Sequence, residues 1–317
     1  MLFLFGDVSK VPKLLEPKPY TLTLTVATTG GYESNPTSLG DGFPLPAGQS
    51  ARGFGFFTTD DAADFDWASA DNLNQLHLSY EYTQVFYEGL SGNDEGDHEW
   101  NAKYTHVFDS IWSVVIAADD KFVTFDGHSF SNRIWLRPEI DWQPADQFKT
   151  KIKSTLTTYD SFFAPSIPQR NSDATSGSFE LYEEVAFGKG NVVKITPGFL
   201  HTANSAEGSD YDYDRTRLQV QVDSQGVPWK SLTGMLKFYH DFDHYDHPNS
   251  HTGFTFARRD DKNVVDLQLR YELFKGGGHL QTMSLTMEYQ YLRNYSNLPE
   301  FNYDDHMITA GCTLVFQ

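Results

Sequence analysis

The stretch Gln75-Leu76-His77-Leu78-Ser79-Tyr80-Glu81-Tyr82-Thr83 alternates strictly between polar residues and apolar or aromatic ones. Successive side chains of a β-strand point to opposite faces, so this stretch predicts a strand with one apolar and one polar face. The same period of two recurs in residues 133–142, 265–273 and 282–291. Helical periodicity is nearly absent, and the sequence therefore predicts an all-β fold built from amphipathic strands.

The connections between these strands alternate in length. Short turns are predicted near 109–110, 144–146, 188–190, 226–228 and 276–278. Longer polar stretches lie near 33–50, 90–98, 118–131, 160–177, 203–213, 243–253 and 294–302. About fourteen strands fit between these breaks, with both termini on the short-turn side, and this pattern is typical of bacterial outer-membrane barrels with short periplasmic turns and long extracellular loops.

The composition agrees with strands that meet lipid on one face and water on the other. Mean hydropathy is −0.48, yet 15% of the residues are aromatic. No run approaches the roughly 18–20 apolar residues that a membrane helix needs, so a chain of this kind that spans a bilayer does so as a closed barrel. Six aromatic residues near strand ends predict interfacial girdles: Trp100, Trp112, Trp142, Phe187, Trp229 and Phe274.

A soluble β-sandwich or a lipocalin-like barrel is the alternative, because its strands also alternate. Strands of ten or more residues, the girdles and the last strand favour a transmembrane antiparallel up-and-down β-barrel in the bacterial outer membrane. We expect the barrel to occupy residues 19–317 and residues 1–18 to form a periplasmic linker. The start Met1-Leu2-Phe3-Leu4-Phe5-Gly6 is too short and lacks the basic residue of a secretory signal, which suggests truncation.

The last strand, Thr309-Ala310-Gly311-Cys312-Thr313-Leu314-Val315-Phe316-Gln317, resembles the terminal signal by which the barrel-assembly machinery recognises its clients. Thr309, Gly311, Leu314 and Phe316 occupy the polar, glycine, hydrophobic and aromatic places of that signal. The resemblance implies the assembly machinery as a partner. The alternative is an ordinary amphipathic edge strand that ends in phenylalanine.

Two further stretches, Gly30-Gly31-Tyr32-Glu33-Ser34-Asn35-Pro36 and Tyr289-Gln290-Tyr291-Leu292-Arg293-Asn294-Tyr295-Ser296-Asn297, carry a looser resemblance. They are similar to barrel domains found behind tetratricopeptide repeats, including those of the surface lipoprotein assembly modifier family. This resemblance implies a barrel fold and an export or assembly role alongside a periplasmic domain.

The predicted alternation assigns charged residues to the inside of the barrel. The basic ones are Lys103, Arg133, Arg137, Lys149, Lys151, Lys153, Lys194, Arg217, Lys237 and Arg270, and the acidic ones are Glu81, Glu139, Asp141, Glu180, Glu184, Asp223, Asp266, Glu272 and Glu288. The two sets nearly balance, which predicts a hydrated lumen of mixed sign and places the acidic excess in the loops. A lumen closed by salt bridges is the alternative. Lys149, Lys151 and Lys153 lie in a row on the inward face. They either attract anions as a basic stripe or, as we prefer, form ion pairs with Glu180 and Glu184.

Two kinds of candidate metal site occur. His240, Asp243, His244 and His247, followed by His251, carry donors suited to Zn²⁺, Cu²⁺ or Ni²⁺, although His247 falls opposite His240 and His244 on an extended strand. Residues 93–97 and 210–214 are acidic enough to bind Ca²⁺ as loop-bound divalent cation sites. The alternatives are girdle or surface histidines, and loops that are either solvated or bridge to surface lipid through divalent ions.

The sequence also excludes several functions. A net charge of −19 disfavours a nucleic-acid partner, and the single cysteine, Cys312, rules out an intrachain disulfide and a cysteine-based zinc site. No nucleophile elbow, phosphate loop or zinc-protease motif occurs, so we do not expect an enzyme. We expect a porin-like channel through which small polar solutes or ions diffuse. The alternatives are an export or assembly barrel for surface lipoprotein or polysaccharide, and a non-conducting anchor or receptor that presents acidic loops to a protein partner.

Overall fold

A computed structural model describes residues 20–34, 54–88, 94–125, 127–162, 168–188, 190, 192–226, 229–250, 252, 254–276 and 278–317. The expected linker 1–18, the stretch 35–36, Asn93 and His251 lie outside these ranges. The described residues form fourteen strands: β1 (Tyr20–Glu33), β2 (Phe54–Ala68), β3 (Asn74–Tyr87), β4 (Glu95–Val107), β5 (Trp112–Phe125), β6 (His128–Ala145), β7 (Phe148–Ser161), β8 (Ala174–Phe187), β9 (Val193–Ala206), β10 (Tyr213–Gln225), β11 (Leu232–Pro248), β12 (Ala257–Lys275), β13 (Leu280–Ser296) and β14 (Tyr303–Phe316).

Each strand pairs antiparallel with its neighbours in the sequence, and β1 pairs with β14 to close the barrel. At this seam Leu24 lies opposite Phe316 and Tyr32 lies opposite Ile308. The prediction of an up-and-down barrel of about fourteen strands is therefore confirmed. Closure also leaves no sheet edge with unpaired backbone groups along the seam, which is what a bilayer interior requires.

The two ends of the barrel differ in the length of their connections. One end, the short-turn rim, carries the connections 69–73, 108–111, 146–147, 188–192, 226–231 and 276–279 together with Tyr20 and Phe316. The strands that meet at the other end, the long-loop rim, are separated in the sequence by residues 34–53, 88–94, 126–127, 162–173, 207–212, 249–256 and 297–302. Three single-turn 3₁₀ helices lie in the described parts of these loops, at Pro168–Arg170, Ser209–Tyr211 and Pro299–Phe301.

One predicted long loop, residues 118–131, is wrong. β5 continues to Phe125 and β6 begins at His128, so only 126–127 connect them, with Gly127 at a φ of +73° that suits a tight turn. Asp120 shares the outward face with Ile116 and Phe122, which interrupts the apolar alternation. The strand nevertheless continues, because pairing with β4 and β6 does not require an apolar outer face.

The outer face is strongly apolar over the half of the barrel that adjoins the short-turn rim. In β1, Leu22 is 56% exposed and Leu24 48% exposed, whereas their neighbours Thr21 and Thr23 point inward. The same belt contains the exposed residues Leu78, Ile116, Leu136, Ile140, Ile152, Leu181, Leu218, Leu236 and Leu285. Towards the long-loop rim the outer face becomes polar, with His98, Asp120, Asp160, Asp214, Asp261 and Asp304. An apolar belt of this extent is stable in lipid and costly in water.

The described residues bury very few apolar side chains. The buried ones are Val115, Ala117, Ala186, Tyr245, Val264, Leu298 and Tyr303. A soluble sandwich or a lipocalin-like barrel keeps its apolar face inside, whereas this barrel keeps it outside, so that alternative is excluded. Among the described ranges, no helix is long and apolar enough to cross a membrane.

Candidate pore lining

The inner face of the barrel carries every charged residue that the sequence assigned to the lumen. Residues that lie opposite each other in an antiparallel pair point to the same side, so the register places each of them. These inward residues are Glu81, Lys103, Arg133, Arg137, Glu139, Asp141, Lys149, Lys151, Lys153, Glu180, Glu184, Lys194, Arg217, Asp223, Lys237, Asp266, Arg270, Glu272 and Glu288.

Sequence reasoning missed many further inward charges. The acidic ones are Glu33, Asp60, Asp64, Asp66, Glu95, Asp97, Glu99, Asp119, Asp241, Asp243, Asp260 and Asp305, and the basic ones are Lys121, Arg215, Arg258 and Lys262. The expected balance of inward charge is therefore wrong, because acids exceed bases on the inner face. In β2 the outward residues Thr59, Asp61 and Ala63 are small or polar, so no alternation signal marked their neighbours as inward.

The acidic excess is concentrated on one side of the lumen, which we call the acidic wall: the inner faces of β2, β3 and β4. It carries Asp60, Asp64, Asp66, Glu81, Glu95, Asp97 and Glu99. Among the described residues of this wall only Lys103 and His77 are basic, and His77 contacts Asp66 at 2.8 Å. Negative potential therefore dominates this side of the lumen.

Two carboxylates of the acidic wall face each other near half-height. Glu81 lies directly opposite Glu99 in the β3–β4 pair, an arrangement that costs free energy between like charges. Neither carboxylate has an ion-pair partner within 4 Å among the described residues, and the nearby Lys121 is bound to Asp97. Such a pair is tolerated only where water or a cation reaches it.

The basic residues on β10, β11 and β12 are largely neutralised. Arg217 binds Asp241 through two hydrogen bonds of 2.6 and 2.8 Å, and Arg215 binds Asp243 through two of the same lengths. Lys262 also donates to Asp243 at 2.8 Å. The guanidinium of Arg217 in addition lies 3.9 Å from the ring centroid of Tyr239. Arg258 likewise pairs with Asp260, so of the six inward bases named above on these strands only Lys237 and Arg270 lack an ion-pair partner among the described residues, and we call this side of the lumen the salt-bridged wall.

The lysine stripe on β7 is paired, although not as expected throughout. Lys153 binds Glu180 at 3.2 Å, which agrees with the preferred interpretation. Glu184 instead binds Lys194 on β9 at 2.9 Å, and Lys149 binds Asp141 on β6. Lys151 has no ion-pair partner within 4 Å among the residues that the structure describes.

The structure does not bring the candidate metal ligands together. His240 and His244 point outward, whereas Asp243 points inward to Arg215 and Lys262. His240 contacts Asn263 at 2.8 Å, and Nε2 of His247 lies 3.7 Å from Asp212. No group of three or more metal-ligating side chains occurs within the described ranges. The period of two along β11 separates these donors, so the prediction of a single site there is wrong.

The carboxylates proposed for calcium have structural contacts instead. Asp210 accepts hydrogen bonds from the backbone and the hydroxyl of Ser250, which ties loop 207–212 to loop 249–256. Asp212 accepts the backbone N–H of Ala206. In the other stretch, Asp97 lies within β4 and binds Lys121.

The terminal strand lies at the barrel seam. Thr309 and Gly311 point inward, and Leu314 and Phe316 point outward into the apolar belt. A Cβ at Gly311 would overlap the carbonyl oxygen of Thr28 on β1, so the seam itself requires a glycine here. Gly311 therefore has a packing role in addition to its place in the sequence signal.

Comparison with known proteins bears on the fold. No protein-family model matches the chain, and no curated protein matches it in sequence. Among solved structures, the outer membrane channel DcaP of Acinetobacter baumannii superposes with a TM-score of 0.53 at 11% identity, covering 94% of this chain and 97% of that one. The loop L8 deletion mutant of OmpT, an outer membrane protein of Vibrio cholerae, gives 0.51 at 9% identity, covering 94% and 100%. The chain has the fold of bacterial outer-membrane β-barrels.

Proposed function

We propose that the protein is a porin-like channel of the bacterial outer membrane, through which small polar solutes and ions diffuse. The observation that carries this proposal is an inner wall of charged and polar side chains that stay solvent-accessible at half-height. Arg137, near half-height on β6, is 35% exposed, and Lys194, at the short-turn end of β9, is 42% exposed, although both point into the barrel. Fourteen strands leave room for such a hydrated conduit.

We further propose that the channel prefers cations. Among the described residues, the acidic wall has seven carboxylates against two basic side chains, whereas Arg215, Arg217 and Lys262 are held by Asp241 and Asp243. A permeating cation therefore meets net negative potential along one side of its path.

The test is conductance of the folded, detergent-purified protein in planar bilayers under a KCl gradient. We expect stable ohmic steps and a reversal potential of cation-selective sign. Glu81→Gln should lower the cation preference, whereas Glu183→Gln, which removes the same charge from the outer face, should leave it unchanged. A correctly folded barrel that never conducts would overturn the proposal and favour an export barrel or a non-conducting anchor.

The resemblance of the last strand supports a second, finer proposal: the barrel-assembly machinery inserts this protein. Phe316 would be the recognised aromatic residue. Phe316→Ala should then reduce insertion into the outer membrane of cells more than Leu24→Ala, which removes a lipid-facing side chain opposite it at the seam. Equal losses would instead indicate a contribution to barrel packing alone.

A further inference from the structure

A recess of about 330 Å³ opens on the inner face where β4 to β7 reach half-height. It is lined by Glu99, Asp119, Trp135, Arg137, Lys153 and Thr155. Its volume falls at the lower end of the range for small-molecule sites, and it combines one large aromatic surface with converging polar groups. The recess adjoins the acidic wall through Glu99, and Lys153 on β7 lines its other side.

The acidic groups of the recess have unused hydrogen-bonding capacity. Asp119 is 5% exposed, and its Oδ1 accepts hydrogen bonds from Asn101 and Arg137. Its other oxygen, Oδ2, is buried and has no partner among the described residues. Glu99 has no ion pair within the same part of the chain and is opposed by Glu81. Oδ2 lies beneath the protein surface, so Asp119 adds negative charge to the recess but offers a ligand no direct contact through this atom. A ligand that donates a charged hydrogen bond to Glu99 gains free energy there.

The basic groups of the recess already bind carboxylates, although Nε of Arg137 is buried without a partner among the described residues. Arg137 donates to Asp119, and Lys153 donates to Glu180, which also accepts from Thr155 at 3.1 Å. An anionic ligand would therefore compete with carboxylates that are fixed in the wall. Glu99 is the charged side chain of the lining that has no ion-pair partner among the described residues, and it favours a ligand that donates a hydrogen bond and carries positive charge.

Trp135 supplies the apolar part of the recess. It lies on the inward face of β6, two residues from Arg137. The face of an indole ring attracts cations and covers the carbon skeleton of a small ligand. An ammonium bound to Glu99 in this recess would place the carbon atoms attached to it beside this ring.

We propose that this recess binds the ammonium group of small primary amines as they pass through the lumen. The ammonium donates to Glu99, the buried charge of Asp119 adds to its attraction, and the alkyl part of the amine packs on Trp135. The inference rests on the proposed channel function for its physiological meaning, but binding itself does not require conduction.

The test is calorimetric titration of the folded protein in detergent with three small probes. n-Butylammonium carries charge, N–H donors and a carbon chain, tetramethylammonium lacks N–H donors, and 1-butanol lacks charge. We expect n-butylammonium to bind and the other two to bind at least about tenfold more weakly, because each of them lacks the charged hydrogen bond to Glu99. Equal binding of all three probes would overturn the proposal.

Variants localise the site. Glu99→Gln should weaken n-butylammonium binding about tenfold, and it disturbs no described contact of the fold. Asp119→Asn should do the same, although loss of its bond to Arg137 also affects folding. Glu288→Gln, which removes a carboxylate from the opposite side of the lumen, should leave binding unchanged. If Glu99→Gln and Glu288→Gln weaken n-butylammonium binding equally, the total charge of the lumen and not the recess determines binding, and the proposed site is refuted.

Bilayer recordings separate this inference from the channel function. Binding of n-butylammonium by a barrel that does not conduct would support the amine site in the recess and overturn the proposed channel function. A barrel that conducts, whose current n-butylammonium does not interrupt and that shows no calorimetric binding, would support the channel function. The same result would overturn the proposed amine site.

Discussion

The salt bridges around Asp243 allow a test of how the barrel wall is stabilised. The Asp243 side chain is fully buried and accepts hydrogen bonds from both Arg215 and Lys262. Asp243→Asn keeps the size of the side chain but removes its charge. Arg215 and Lys262, which are 23% and 16% exposed, then remain in the wall without their main counter-charge.

Removing one partner of a buried ion pair destabilises a protein by about 3–5 kcal/mol. Two features place this case at the lower end. Both cations retain some access to lumen water, and Asp241 lies 3.7 Å from Nε of Arg215, so it compensates part of the lost charge. We therefore expect Asp243→Asn to lower the free energy of unfolding by about 3 kcal/mol.

The measurement is urea unfolding of the barrel in phospholipid vesicles, followed by the gel shift between folded and unfolded forms. Glu184→Gln is the matched control, because it breaks the exposed pair with Lys194 on the same inner surface and should cost no more than about 1 kcal/mol. If Asp243→Asn destabilises the barrel no more than Glu184→Gln does, the network is not a source of stability and the reasoning fails.

Two further substitutions test the seam and the facing of the strands. Gly311→Ala should lower the free energy of unfolding by about 1–3 kcal/mol or prevent barrel closure, because the added methyl group overlaps Thr28. Gly177→Ala is the control, since its added methyl group has no neighbour closer than 3.9 Å, and it should fold like the parent chain in the same gel assay. Leu24→Lys should destabilise the barrel by about 2–4 kcal/mol in vesicles, because it places a charge on the lipid-facing surface. Thr25→Lys places the same charge in the lumen and should destabilise the barrel much less. Similar losses of stability would contradict the assigned faces.

The sequence by itself determined the class of fold. Strands with strict alternation, such as 75–83, can place polar residues against water and apolar residues against lipid only in a closed barrel. The spacing of the turns predicted the number of strands. The faces of the predicted strands follow directly from the period of two. Where the outer face is polar, as around Asp61 and Asp120, this signal disappears, and residues 118–131 were misassigned for that reason.

Only the tertiary structure decided which charges meet. Lys153 pairs with Glu180 as expected, but Glu184 binds Lys194, because the register between strands, and not the pattern within one strand, selects the partner. The opposition of Glu81 and Glu99 likewise depends on register. The recess beside Trp135 requires four adjacent strands at one height. Contacts of this kind join residues far apart in the chain, and local periodicity carries no information about them.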